Sequence, residues 1–270
     1  MKRIIIGLAL GLFAVATSGC GIYTSGKDVN KHESIDSKGI QELNIKADQG
    51  DINIQKSNDD KIDISLTGQA TKNPDKILTT SVEGSALNIR VNSEITAGIN
   101  LVKNDYKLVV RVPEKTYDQI KLKNSFGNID LNDIESKNLE VVTVNGDVTA
   151  NGFKGEQYMF KSWLGKVDLS NMSGQGKVDQ SNGAVNILLS DLTKNLEVDS
   201  SLGAVDIKVP SNSNFRLEAK TLNNRYDIKL PMTFTKRSDT QVIGNTANAG
   251  TDAPLLNVNA SNGKFVLEGK

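Results

Sequence analysis

Cysteine and histidine are almost absent: the 270 residues hold one of each, Cys20 and His32, both near the start. The 238 residues after His32 contain neither thiol nor imidazole. That excludes Ser-His triads, cysteine nucleophiles and Cys/His zinc sites from the body of the protein. A lone cysteine closes no intrachain disulfide, so a body outside the cytoplasm must hold together through core packing and backbone ladders alone. Neither sign of charge dominates, with 32 Lys+Arg against 32 Asp+Glu. Nucleic-acid binding needs a basic face to neutralise phosphates, and this composition does not provide one. Aromatic residues make up 5% of the chain and prolines number only 5, whereas glycines number 23. With frequent Val, Ile, Asn and Asp, this describes many short strands joined by tight turns rather than a helix bundle. The length allows one large domain or two small ones.

The N-terminus reads as an address. Lys2 and Arg3 precede the apolar run Ile4 to Val15, and Ala16-Thr17-Ser18-Gly19 supplies small residues before Cys20. This is the pattern of a secretory signal. It resembles the bacterial lipoprotein signal, although Thr17 departs from the aliphatic residue preferred three places before the cysteine. The resemblance implies removal of residues 1–19 and a lipid, a diacylglycerol with palmitate, on Cys20. An uncleaved anchor helix is the alternative, because no charge occurs from Ile4 to Gly26 and such a stretch reaches the ~20 residues that span a bilayer. Either way the body sits on the extracytoplasmic face of the cell membrane. Losing Lys2 and Arg3 leaves 30 positive against 32 negative residues, with no polybasic patch for anionic lipid. Residues 20–38, rich in Ser, Gly, Lys, Asp and Asn, are expected to form a flexible linker.

From Gln41 onward a repeat of about 19 residues is the strongest signal. Its template is apolar-x-apolar, four residues, a turn slot, x, apolar-x-apolar. Eight copies place the turn slot at Gly50, Gly127, Gly146, Gly165, Gly183, Gly203, Asn224 and Gly263, and 31 of the 32 apolar slots are apolar, Gly176 being the exception. Period-two alternation makes each half of a copy a strand with one buried face. Gly and Asn in the turn slot are the residues best able to adopt positive φ, which predicts a left-handed residue there. The five central glycines are 19, 19, 18 and 20 residues apart, and so constant an advance fits coils stacking about 4.8 Å apart. The fold expected is therefore all-β: a β-solenoid, a single-stranded β-helix-like stack, over residues 39–270. Residues 39–119 form an irregular N-terminal part with wider or antiparallel strands, and 120–230 are regular coils. Residues 231–254 make a surface excursion, and 255–270 close with a final coil.

This repeat behind an export signal resembles the bacterial putative-adhesin family of β-strand-repeat proteins, a domain of unknown function in envelope-anchored proteins. The resemblance spans about residues 40–270. It implies fold rather than activity: members look like partners of envelope stress-response systems, and the family offers no catalytic residue to carry over.

Three columns of outward residues are candidates for a surface function. Asp130, Asp168 and Asp206 recur at 38-residue intervals between the last two apolar slots, as a carboxylate ladder for Ca²⁺ or a glycan or as a plain solvated strand face. At about 10 Å apart they are too spread for a single ion, so no metal site is assigned. A second column is expected to pair Lys121 with Glu140 and Lys177 with Glu197. Trp163 stands where matching coils carry Ser125 and Ser201, placed to stack on a sugar or a partner or merely to cover a corner. Phe126, Leu164 and Leu202 alternate with Asn145, Asn182 and Asn223 just before the turn slot, a two-coil period.

The expectation is a lipid-anchored, non-enzymatic protein of the cell envelope, without cofactors, serving scaffolding, adhesion or stress sensing toward a cell-wall glycan or an envelope protein. The rival is a carbohydrate-active β-helix enzyme using paired carboxylates, with Asp59/Asp60 or Asp130/Asp168 as the acids.

Overall fold

A computed structural model describes residues 27–70, 74–92, 105–222 and 225–270. Residues 1–19, Cys20 and the turn slot Asn224 lie outside them. Within the described residues the protein is all-β, with one 3₁₀ turn at Pro74–Lys76, in two facing sheets of 12 and 11 strands. Each repeat contributes its first half to the long-strand sheet and its second half, after the turn slot, to the short-strand sheet. In the long-strand sheet Tyr117–Phe126, Ser136–Asn145, Lys154–Leu164, Ser173–Asn182 and Leu196–Leu202 run parallel. Ile129–Asn132, Val148–Asn151, Val167–Ser170, Val185–Leu188 and Val205–Val209 do the same opposite them.

Register follows the template. Leu139 lies between Ile120 and Tyr158, and Val148 lies between Ile129 and Val167. The apolar template positions are at most 4% exposed, apart from half-buried Tyr226 and Ile228. Two apolar columns from each sheet therefore interdigitate as one continuous core, each fully buried Val, Ile or Leu contributing about 1.5–3 kcal/mol.

The turn slot obeys a stricter rule than a left-handed residue. Gly50, Gly127, Gly146, Gly165, Gly183 and Gly203 have φ from +114° to +153°, well beyond the left-handed helical value near +57°. From Gly127 to Gly203 each stacks on the glycine of the preceding coil, and Gly50 stacks on Tyr106. A Cβ at Gly146 would lie 2.5 Å from the Gly127 carbonyl carbon, and one at Gly165 2.6 Å from that of Gly146. Gly263 makes the same close approach to Gly203 without a positive φ, so proximity of backbones is the shared requirement. True left-handed residues occupy the opposite corner, at Asp133 (φ 54°), Gly152 (φ 78°) and Asn171 (φ 53°), types that accept that conformation. Just inside the glycine corner a buried polar column, Asn124, Thr143, Ser162, Gln180 and Ser200, faces the turn. Asn124 Nδ2 donates to the carbonyls of Gly50 (3.0 Å) and Gly127 (2.9 Å), and Gln180 Nε2 to that of Gly165 (2.6 Å).

At both ends the spatial order departs from chain order. The final copy, Leu255–Ala260 and Phe265–Gly269, inserts between the coil at 196–209 and the one at 216–228. The expected surface excursion is a β-hairpin, Met232–Arg237 with Gln241–Thr246, which pairs antiparallel onto Arg216–Thr221 and closes the long-strand sheet. At the N-terminal end Ala86–Val91 and Lys107–Pro113 make a further parallel layer beside the first copy, and Leu78–Glu83 and Lys61–Ala70 cap it antiparallel.

The outermost strand of the short-strand sheet is Lys27–Asp36, paired along its whole length with Lys61–Ala70. This corrects the expected linker at 20–38 over residues 27–36; residues 20–26 lie outside the described residues. The physical reason is that an edge strand is covered on one side only and is protected from further pairing by charge. Val29 is its one fully buried residue among Lys, Asp, Asn, His and Glu, a composition easily read as linker.

Candidate functional site

The predicted site residues fall on two opposite surfaces. Asp130, Asp168 and Asp206 follow the turn slot and line the outer face of the short-strand sheet, separated in register by Thr149 and Asn186. Trp163 precedes the turn slot and ends a strand of the long-strand sheet.

On the aspartate face the three carboxylates differ in environment. Asp168 is held by Lys166 at 2.6 Å and accepts a hydrogen bond from Asn186 Nδ2 at 2.7 Å. With Asp206, Leu188 and Lys208 it lines an open depression of about 310 Å³. Asp130 lies two strands away toward Asp51. Partial burial, then repulsion from Asp51, raises its pKa above the ordinary 3.8. No cluster of three or more His, Cys, Asp or Glu among the described residues is placed to hold a metal ion. Asp59 and Asp60, the other acid pair considered, sit exposed in the turn between two strands of this sheet.

The raised pKa gives a pH prediction with a definite sign. The folded chain holds the Asp130 proton more tightly than the unfolded chain does, so stability conferred by the protonated form is lost as pH rises from 3.8 through the raised folded value. Asp130→Asn should abolish this fall and be neutral or mildly stabilising at pH 7. Melting temperatures of both proteins across that pH range check it, and a variant less stable at pH 7 but not at low pH would reverse the sign.

The long-strand sheet carries the expected charge pairs and a feature not anticipated. Lys121 meets Glu140 at 2.5 Å and Lys177 meets Glu197 at 2.7 Å, as the column predicted. Such exposed pairs are worth on the order of 0.2–1 kcal/mol each and chiefly set register. Lys177 also lies 3.9 Å from Asp199. The Lys177 hydrogen bond holds the Glu197 carboxyl below its usual range, while partial burial and Glu197 push Asp199 up. Beside these pairs runs an amide row, Gln119, Asn138, Gln157, Gln175 and Asn195, on consecutive coils. Gln157 Nε2 donates to Asn138 Oδ1 at 2.5 Å, and the Asn195 side chain accepts from the Leu255 amide at 2.8 Å. Amides and ion pairs together border a shallow trough of about 460 Å³. Reading the positions before the first apolar slot as a column would have found the row.

Two stretches of the chain, residues 40–166 and 160–266, match the family model described as Toastrack DUF4097. The chain belongs to the Toastrack family. The two matches overlap and together run over all the regular coils. Similar crystal structures include a putative cell adhesion protein from Clostridium sporogenes, 15% identical, with 90% of this chain and 100% of that chain covered and a TM-score of 0.41. Another is a putative adhesin from Bacteroides fragilis, 14% identical, covering 91% and 99% of the two chains, with a TM-score of 0.43. No curated protein matches the sequence.

Proposed function

We propose that this Toastrack protein is a non-enzymatic, extracytoplasmic β-repeat protein, tethered to the cell membrane through Cys20, that presents its sheet faces to the envelope as a scaffold or adhesion surface or as part of stress sensing. The observation that carries the reading is the form of the surfaces. Both are open, in-register columns of amides and paired charges, continuous over many coils. Asp168, which lines the depression on the aspartate face, is tied to Lys166 and Asn186, and no aromatic side chain lines that depression. A general acid needs a desolvated, raised carboxyl facing a partner across a cleft.

The tether is tested by growing cells with a labelled fatty acid. The wild type is expected to carry label and Cys20→Ala none; label persisting in the variant would refute acylation at Cys20. The surface role is tested by retention on cell-wall glycan together with a hydrolysis screen. Measurable hydrolysis lost in Asp168→Asn would favour the enzyme.

A further inference from the structure

Six of the eight large apolar side chains left exposed among the described residues stand along one corner of the solenoid. They are Phe126, Val144, Trp163, Leu164, Leu202 and Leu222, each 41–53% exposed, at the one or two positions before the turn slot. Register spaces them: Asn145 lies between Phe126 and Leu164, and Asn182 between Leu164 and Leu202. At about 4.8 Å per strand the row extends about 29 Å from Phe126 to Leu222. Apolar residues scattered singly over a surface need no explanation, but six gathered along one corner, interrupted only by Ser181/Asn182 and Ser261/Asn262, do. Within it the Lys161 ammonium lies 5.0 Å from the centre of the Trp163 ring. An aromatic with an apolar body beside a long-stemmed cation suits a membrane interface.

The chain enters the domain at this same corner. Gly50 donates its N–H to the Phe126 carbonyl, and Asp51 donates to that of Tyr106 (both 2.8 Å). Tyr106 abuts Gly68, and Gly68 pairs with Val29. The glycine corner thus continues across the N-terminal end to Val29, and Lys27 lies just beyond it, with its strand running away from the corner. Because Lys27–Asp36 is a strand and not linker, only residues 21–26 separate Cys20 from the domain. Those seven peptide steps span at most about 25 Å. A domain held so closely must turn some edge toward the bilayer, and the apolar row begins on this corner four strands from Lys27–Asp36, about 19 Å at 4.8 Å per strand, within the reach of the tether.

We infer that the turn-glycine corner is a membrane-contacting edge, with Phe126, Val144, Trp163, Leu164, Leu202 and Leu222 set into the bilayer interface and the two sheet faces standing out from it. This rests on the tethered reading above. Just past the turn slot the exposed charges are Asp51, Asp147, Lys166, Arg225 and Lys264, two negative and three positive, too near balance to form a basic patch, so apolar contact rather than anionic lipid drives the docking.

Trp163 is the only tryptophan of the chain and reports directly on the row. The full chain, purified from bacterial membranes, is reconstituted in phosphatidylcholine vesicles. Its emission should be blue-shifted, quenched by acyl-brominated lipid and shielded from aqueous acrylamide. The Phe126→Ser/Leu164→Ser/Leu202→Ser variant should still float with the vesicles and keep its circular dichroism spectrum while losing shift, quenching and shielding. Added anionic lipid should change nothing. A wild type that floats with Trp163 as open to acrylamide as in the variant overturns the inference and leaves the tether standing, and so does quenching that requires anionic lipid. A chain that does not float refutes the tether. In that case a blue shift on adding vesicles still supports the apolar edge, and no shift overturns it too.

Discussion

Gly146→Ala should lose far more stability than Gly84→Ala, although both place a side chain at positive φ. Gly84 has φ +62° and open space around its absent Cβ, so alanine there faces only the conformational penalty, about 1–2 kcal/mol. Gly146 has φ +149°, and its Cβ would fall inside van der Waals contact of the Gly127 carbonyl. That contact is with backbone and cannot be relieved by a rotamer change. Parting the two coils would stretch the adjoining ladder, in which the Gly146 N–H bonds to the Leu164 carbonyl at 3.0 Å. The combined cost should exceed about 4 kcal/mol, much of the total stability of a typical domain. Gly146→Val and Gly183→Val should be at least as damaging, and Gly250→Ala, in open space without positive φ, close to neutral. Urea and thermal denaturation followed by circular dichroism decide the matter. Equal losses in Gly146→Ala and Gly84→Ala would mean that close stacking of the coils does not select glycine.

The same contrast explains how far the sequence could be read. Period-two alternation and a constant advance are local properties, so the two-strand coil, the core slots and pairs such as Lys121 with Glu140 were all legible. The order of the coils at the ends was not. Leu256 and Val258 satisfy the template equally well wherever their coil stacks, and their place between Leu196/Val198 and Leu217/Ala219 is decided by long-range pairing that leaves no mark on spacing. Lys27–Asp36 was missed for the opposite reason: an edge strand buries little, so its alternation is weak.

The candidate surface was legible as columns and illegible as a solid. Asp130, Asp168 and Asp206 follow the turn slot and Trp163 precedes it. Recognising that the slot is the corner between two sheets places them on opposite faces. The alternation of Phe126, Leu164 and Leu202 with asparagines was visible as a period, but its meaning depends on where Lys27 enters, a fact of topology alone.

Gly176→Val, which would complete the apolar template, should destabilise the protein, and Tyr158→Leu should rescue it. Gly176 lies in register between Tyr158 and Leu196. The Tyr158 ring lies over it, and a Cβ at Gly176 would be 2.6 Å from Tyr158 Cε2. The ring is fixed there by edge-on contacts with Phe153 and Phe160, centroids 5.7 and 6.0 Å away, and is only 4% exposed. One coil supplies a side chain large enough for two slots and its neighbour supplies none. Their coils are also the pair separated by 18 rather than 19 residues, a difference absorbed by the register shift between Lys154 and Gln157. Gly176→Val alone overpacks the core, at about 1–3 kcal/mol or more. Tyr158→Leu alone leaves a void above the glycine, about 2–4 kcal/mol. Together they restore an ordinary pair of apolar slots, so the double variant should be more stable than the sum of the single losses by about 0.5–3 kcal/mol. A double-mutant cycle by urea denaturation measures that coupling. Strict additivity would mean that the ring does not fill the Gly176 slot, leaving the one break in the template without a packing cause.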